Sequence, residues 1–179
     1  LEPGCYIELS EKGTVFERYW DITEAIDAEK YAKMSEDQII NEIDIVFRDA
    51  VKKRMLSEVP LGAYLSGGVD SSLIVALMAL QSESTINTFS VIFDDPKYNE
   101  EQYSDEVALK YKTNHHKLKF TEQDLFNSIT SWIEHMDDFV PQRDGLPRYM
   151  IAKLVSDKGI KVVLSGSGAD EIFAGYYSH

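Results

Sequence analysis

The stretch Leu61-Gly-Ala-Tyr-Leu-Ser-Gly-Gly-Val-Asp-Ser-Ser72 passes from a short apolar segment, through two adjacent glycines, into a long apolar run. That order spells strand, turn, helix. Adjacent glycines let the backbone take positive φ and approach a ligand closely. The amides that follow open a helix, where N–H groups without intrahelical partners favour an anion. The stretch reads as a phosphate cradle, and the ligand it predicts is a nucleotide phosphate or pyrophosphate. It has no Gly-Lys-Ser/Thr ending, so it is not the loop in which a lysine holds the β- and γ-phosphates.

Outward from this turn, residues 61–65 form a brief strand and residues 71–81 a helix. Leu73, Ile74, Val75, Ala76, Leu77, Met78 and Leu80 leave that helix almost no polar face, which predicts burial. The β-branched and aromatic residues 88–93 predict a second strand, ended by Asp94-Asp95-Pro96. A helix with Tyr103, Val107 and Tyr111 on one face follows. Residues 116–120 suit a third strand. Thr121 is a cap for a helix whose core face is Leu125, Phe126, Ile129, Trp132, Ile133 and Met136. Residues 137–146 are turn-rich, Pro147 suits the first position of a helix over 148–158, Gly159 ends it, and 160–164 is the next strand. This alternation predicts an α/β fold, a parallel sheet with right-handed crossovers and helices on both faces. Ligands of such sheets bind beyond the carboxyl ends of the strands.

Ahead of this unit, Ser35-Glu-Asp-Gln38 has the form of a capping box. It opens a helix over 36–56 with Ile39, Ile43, Val46, Phe47, Ala50 and Val51 as its buried face, and Lys52, Lys53 and Arg54 complement the dipole of its last turn. Residues 1–21 alternate around Pro3-Gly4 and Lys12-Gly13, which predicts a short hairpin.

At 179 residues and 44% apolar content the chain has the size of one domain with a real core. Its net charge of -13 excludes general binding to nucleic acid or anionic membrane, which reward excess Lys and Arg. A polyanionic ligand then needs local help from helix N-termini and a divalent cation. The single cysteine, Cys5, excludes an intramolecular disulfide, and with no transmembrane or targeting pattern a reducing, cytoplasmic setting is expected. Adjacent His115 and His116 would point to opposite faces of a strand and lack metal-ligand spacing, and His135 suits helix surface.

A second turn, Ser165-Gly-Ser-Gly-Ala-Asp-Glu171, also follows an apolar strand and precedes a helical segment. Each turn carries an aspartate four or five positions after its first serine, so Asp70 and Asp170 are expected to converge on one phosphate chain. Two carboxylates, with phosphate and water oxygens, make a Mg²⁺ site.

Ser66-Gly-Gly-Val-Asp-Ser-Ser72 resembles the pyrophosphate loop of the ATP pyrophosphatase superfamily. Val162-Val-Leu-Ser-Gly-Ser-Gly-Ala-Asp-Glu-Ile-Phe-Ala-Gly-Tyr176 resembles the glutamine-dependent asparagine synthetases. Leu1-Glu-Pro-Gly4 and Arg18-Tyr-Trp-Asp21 are similar to the end of that family's glutaminase domain and its linker, which assigns 1–34 to that tail and 35–179 to the ATP-binding synthetase domain. Because the chain stops at His179, the resemblance leads us to expect later helices that are not in it. The fold it implies is Rossmann-like, of the adenine nucleotide alpha hydrolase type. The activity it implies is activation of aspartate, or a related carboxylate, as an acyl-AMP with release of pyrophosphate, for attack by ammonia from glutamine.

Residue by residue, the resemblance implies that Ser66, Gly67, Gly68, Ser71 and Ser72 hold pyrophosphate and that Asp70 and Asp170 bind Mg²⁺. It puts the backbones of Tyr64 and Val91 against adenine, and Ser165 and Gly166 beside the ribose and α-phosphate. Asp138 stands near the family's substrate mouth. Two positions depart from the pattern. Ser167 replaces an acidic residue that serves the acyl-acceptor half-reaction, and a serine cannot take up a proton at neutral pH in the same way. Ala174 stands where glycine is common. Ser167 keeps open an amidotransferase or cyclase acting on another carboxylate. A non-catalytic nucleotide-binding fragment is the other alternative, and a homodimer is an allowed assembly.

Overall fold

Residues 61–64 form a strand because Leu61, Ala63 and their neighbours fill the space between two helix layers, with Ala63 wholly buried. The computed structural model describes residues 1–95, 97, 99–136 and 145–176. Pro96, Asp137 and Asp138, on which expectations were placed above, lie outside the described residues. The chain separates into two units, Leu1–Val46 and Phe47–His179.

In the first unit, β1 (Cys5–Ser10) and β2 (Gly13–Arg18) form the expected antiparallel hairpin, followed by a 3-10 turn at Ile22–Ala25 and a short α1 (Ala28–Tyr31). The capping box is present in both directions: the Ser35 N–H donates to Gln38 Oε1 at 2.9 Å and the Gln38 N–H to Ser35 Oγ at 3.3 Å. It opens α2 (Glu36–Arg54).

The second unit holds β3 (Leu61–Tyr64), α3 (Val69–Gln81), β4 (Asn87–Phe93), α4 (Glu101–Tyr111), β5 (Asn114–Phe120), α5 (Glu122–Met136), α6 (Gly145–Asp157), β6 (Val162–Leu164) and α7 (Ala169–Phe173). The sheet is parallel, in the order β5-β4-β3-β6. One face packs on α3 and α4 through Val75, Leu77, Met78 and Ala108, joined by Val51 from the end of α2. The other packs on α6 through Phe89, Ile151, Val155 and Ile160. The order places a switch point between β3 and β6, whose carboxyl ends carry the two glycine turns.

Several apolar faces differ from expectation. In α3 only the stripe of Ser71, Val75, Leu77 and Met78 is buried, whereas Leu73 and Leu80 are exposed, because this outer-layer helix meets the sheet along one side. In α4 Val107 packs on the core as expected, beside buried Ser104 and Ala108, whereas Tyr103 points outward. In α5 Trp132 is buried but Leu125, Phe126, Ile129 and Ile133 are exposed. In α2, Ile43 and Val46 are exposed, while Phe47 and Val51, with Met55 just after the helix, pack in the core of the second unit. Helical periodicity identifies an apolar stripe, but burial needs a neighbour over its whole length.

Helix α6 starts at Gly145, earlier than Pro147. A Cβ on Gly145 would stand 2.5 Å from Cζ2 of Trp132, so the first turn of α6 lies against that ring. Pro147 fits inside this turn because its missing N–H would have no intrahelical partner.

Candidate functional site

Above the carboxyl ends of β3, β4 and β6 lies a cavity of about 630 Å³, within the range typical of small-molecule sites. Its walls include Tyr64, Ser66, Asp70, Ser71, Val91, Ser165, Gly166, Ser167 and Asp170, nine of the residues singled out in the sequence. Gly67, Gly68 and Ser72 do not line it.

The first turn is braced by its own hydroxyls. Ser71 Oγ donates to the Gly68 carbonyl at 3.2 Å and accepts from the Ser66 N–H at 3.2 Å. Its remaining contact, 3.0 Å to Ser66 Oγ, therefore has Ser66 as donor, and Ser66 Oγ accepts from the Gly68 N–H at 3.2 Å. Both hydroxyl hydrogens are committed to the turn. What it offers an anion is backbone: Val69, Asp70 and Ser71 open α3, Gly68 at its N-cap provides no side-chain bond, and their amides lack i−4 carbonyls. Ser72 Oγ is shielded from solvent and has no hydrogen-bond partner among the described residues, so it meets a ligand only by rotating about χ1. Gly67 has φ of 91°, and its Cβ would lie 2.7 Å from Tyr103 Cβ and 2.8 Å from the Ser104 nitrogen. Only glycine lets this turn sit against the start of α4.

The second turn meets the first directly. A Cβ on Gly166 would stand 2.8 Å from both Asp70 Cβ and the Ser71 nitrogen. Asp70 and Asp170 thus face one cavity, Asp70 in the first turn of α3 and Asp170 in the first turn of α7. Among the described residues no three His, Cys, Asp or Glu side chains gather as a metal cluster. The carboxylates of Asp70 and Asp170 line the cavity together with those of Glu100 and Glu171, oxygen donors of the kind a hard cation takes. Ser165 Oγ donates to Ser167 Oγ at 3.1 Å, and Ser167 N–H reaches back to Ser165 Oγ at 3.4 Å.

Other lining residues escaped the sequence reading. Arg148, in the first turn of α6, is the one basic side chain on the wall among the described residues. It opposes the burial that raises the pKa of the Tyr64 phenol, burial being the larger effect. Glu171 accepts from Tyr176 Oη at 2.9 Å, which raises the pKa of that phenol. Ser90 and Phe93 line the floor. Arg148 carried no local signal, because its place depends on how α6 packs on β4.

The two histidines of β5 do point to opposite faces. His116 stacks on Phe89 with ring centroids 5.0 Å apart, and His115 Nδ1 lies 2.9 Å from Thr88 Oγ1. Burial lowers the pKa of both imidazoles. His135 is exposed near the end of α5, against Tyr149. Among the described residues no helix is long and apolar enough to cross a membrane.

The asparagine synthase family model matches residues 42–179. A Methanocaldococcus jannaschii protein provisionally named as the second glutamine-hydrolysing asparagine synthetase of that organism is 40% identical over 143 residues, covering 79% of this chain and 27% of its own. The Bacillus subtilis glutamine-hydrolysing asparagine synthetase 1 is 31% identical over 177 residues, 98% of this chain and 27% of its own. A solved NH3-dependent NAD synthetase from Campylobacter jejuni is similar over 80% of this chain and 61% of its own, at 14% identity and TM-score 0.48, too weak a likeness to carry an argument. The chain spans about a quarter of the length of these curated relatives. With both glycine turns inside the matched segment, the chain belongs to the asparagine synthase family.

Proposed function

We propose that the second unit is the ATP-binding part of an amide-forming ligase of asparagine synthetase type. The observation that carries this is the abutment of Gly166 on Asp70 and Ser71, which makes one site of two glycine turns 100 residues apart in the motif numbering, Ser66 to Gly166. The first-turn amides of α3 would bind the pyrophosphate, within the turn formed by Ser66, Gly67 and Gly68. Ser71 and, after rotation, Ser72 would flank it. Asp70 and Asp170 would hold Mg²⁺, which when bound offsets negative charge on the phosphate oxygens. Ser165 and Gly166 would lie beside the ribose and α-phosphate, and the backbones of Tyr64 and Val91 against adenine.

In the reaction, a carboxylate oxygen of aspartate attacks the α-phosphorus and the bond to the β-phosphate oxygen breaks, releasing pyrophosphate. Ammonia from glutamine then attacks the acyl carbon, AMP leaves, and the nitrogen loses a proton. Preorganised donors serve the first step better than an acid or base, because negative charge builds on the phosphorus oxygens and the leaving group. Residues 1–34 would be the end of a glutaminase domain and its linker, and 35–179 the synthetase part, in a cytoplasmic protein able to form a homodimer.

Ser167 together with Arg148 favours a second reading, the same scaffold acting on a different carboxylate. Ser167 stands where the family places an acid, and Arg148 lines the same cavity together with Glu100 and Glu171. Calorimetry with Mg²⁺ and ATP on this chain and on Asp70→Ala tests the nucleotide site. Binding that is equally weak in both would remove it. Pyrophosphate release by the full-length protein, with aspartate against other carboxylates, decides between the two readings.

A further inference from the structure

The β3–β4 ladder ends two bonds short of where it would otherwise run. Its register pairs Gly62 with Asn87, Ala63 with Thr88 and Tyr64 with Phe89, and the Leu65 N–H still donates to the Phe89 carbonyl at 2.9 Å. In a parallel ladder the next bonds would run from the Val91 N–H to the Leu65 carbonyl and from the Gly67 N–H to the Val91 carbonyl. Neither of these two bonds is formed. The chain turns away at Gly67, and the Leu65 carbonyl accepts from Ser90 Oγ instead. Val91 lines the cavity with both of its backbone groups directed past the end of β3.

Ser90 is 3% exposed and is itself held. Its hydroxyl hydrogen goes to the Leu65 carbonyl, so its contact with His115 Nε2 at 3.4 Å has the imidazole as donor. That assigns the Nε2–H tautomer to neutral His115, whose Nδ1 then accepts from Thr88 Oγ1 at 2.9 Å. Thr88 in turn accepts from Thr113 Oγ1 at 2.8 Å. One directed chain runs from Thr113 through Thr88, His115 and Ser90 to Leu65. Asp105 Oδ1 stands 3.8 Å from the same Nε2, farther than Ser90 Oγ and beyond hydrogen-bond reach.

We infer that Ser90, oriented by His115, is a positioning and specificity-determining residue: by holding the Leu65 carbonyl it keeps the Val91 N–H and carbonyl unpaired as a template for the edge of an adenine ring. This rests on the nucleotide reading above. An N–H beside a carbonyl matches adenine, whose N1 accepts and whose N6 amino group donates. It opposes hypoxanthine and guanine, which present a donor at N1 and an acceptor at O6.

The test compares wild type with Ser90→Ala, Ser90→Thr and His115→Gln. In Ser90→Ala the freed Leu65 carbonyl turns to the Val91 N–H. The dissociation constant for Mg²⁺ with ATP is expected to rise about tenfold, the loss of one hydrogen bond of ordinary strength. Preference for ATP over ITP should fall by about the same factor, while affinity for inorganic pyrophosphate stays within about twofold, because the phosphate amides are untouched. Hydrogen exchange at the Val91 amide, fast in wild type without nucleotide, should slow in Ser90→Ala. Ser90→Thr keeps the hydroxyl and should restore wild-type values, and His115→Gln should lie between. If Ser90→Ala does not fold, Ser90→Cys, with its weak thiol donor, takes its place. A wild-type protein with no preference for ATP over ITP would overturn the adenine template and this inference with it. A preference that survives in Ser90→Ala, with Val91 exchange unchanged, would overturn this inference alone.

Discussion

The two glycine turns share a sequence pattern and differ in construction. The first is closed on itself: Ser66 donates to Ser71 Oγ from both its N–H and its hydroxyl, Ser71 is 8% exposed, and Gly67 is pressed against α4. The second is open, with Ser165 and Ser167 both exposed and bonded only loosely to each other, and nothing lies within 4 Å of where a Cβ on Gly168 would be. The difference teaches that a shared pattern of serines, glycines and an aspartate does not imply a shared task. The first turn is a rigid backbone frame. The second rests on the first through Gly166 and presents exposed serine side chains at the cavity wall.

Substitution at the glycines sharpens this contrast most. Gly67→Ala places a side chain at φ of 91° and into backbone and Cβ atoms of α4, and should destabilise the protein by about 3 kcal/mol or more, read from urea unfolding. Gly168→Ala, at φ of 98° but in open space, should cost only about 1 kcal/mol. Equal costs would break the comparison. Next in size is the serine pair. Ser71→Ala removes a hydroxyl with three contacts and should cost about 2 kcal/mol, whereas Ser165→Ala should stay within about 0.5 kcal/mol on stability while still weakening nucleotide binding.

The smallest effect concerns the sheet beneath the first turn. Burial, the leading cause, lowers the pKa of His115 and His116 in the folded state; Asp105 opposes it at His115 and Lys158 adds to it at His116. The unfolded chain then binds more protons as pH falls below the ordinary histidine value of about 6.5. Stability should be full above that value and decline below it, as seen in thermal midpoints measured between about pH 7.5 and 5.5. His115→Gln should flatten part of the decline and leave the His116 share in place.

Much of the cavity wall is legible in the sequence. Ser66, Asp70, Ser165, Gly166 and Asp170 were found from two short patterns, because a backbone that must turn sharply and expose amides requires glycine and small polar residues in a row. Arg148 was not legible, since nothing near Pro147 tells that the start of α6 faces β3 and β4. Ser90 was equally hidden. In sequence it is an ordinary strand residue, and its role depends on Leu65, 25 positions away.

The sequence by itself determined the alternation of strands and helices, the parallel sheet and the two glycine turns. These follow from apolar periodicity and local backbone chemistry, which act over a few residues. Only the tertiary structure decided which apolar stripes are buried, that Gly166 rests on Asp70, and that the Leu65 carbonyl is taken by Ser90. Those outcomes depend on residues far apart in the chain meeting across neighbouring elements: β3 and β4 for Leu65 and Ser90, and β3 and β6, about a hundred residues apart in the chain, for the two turns.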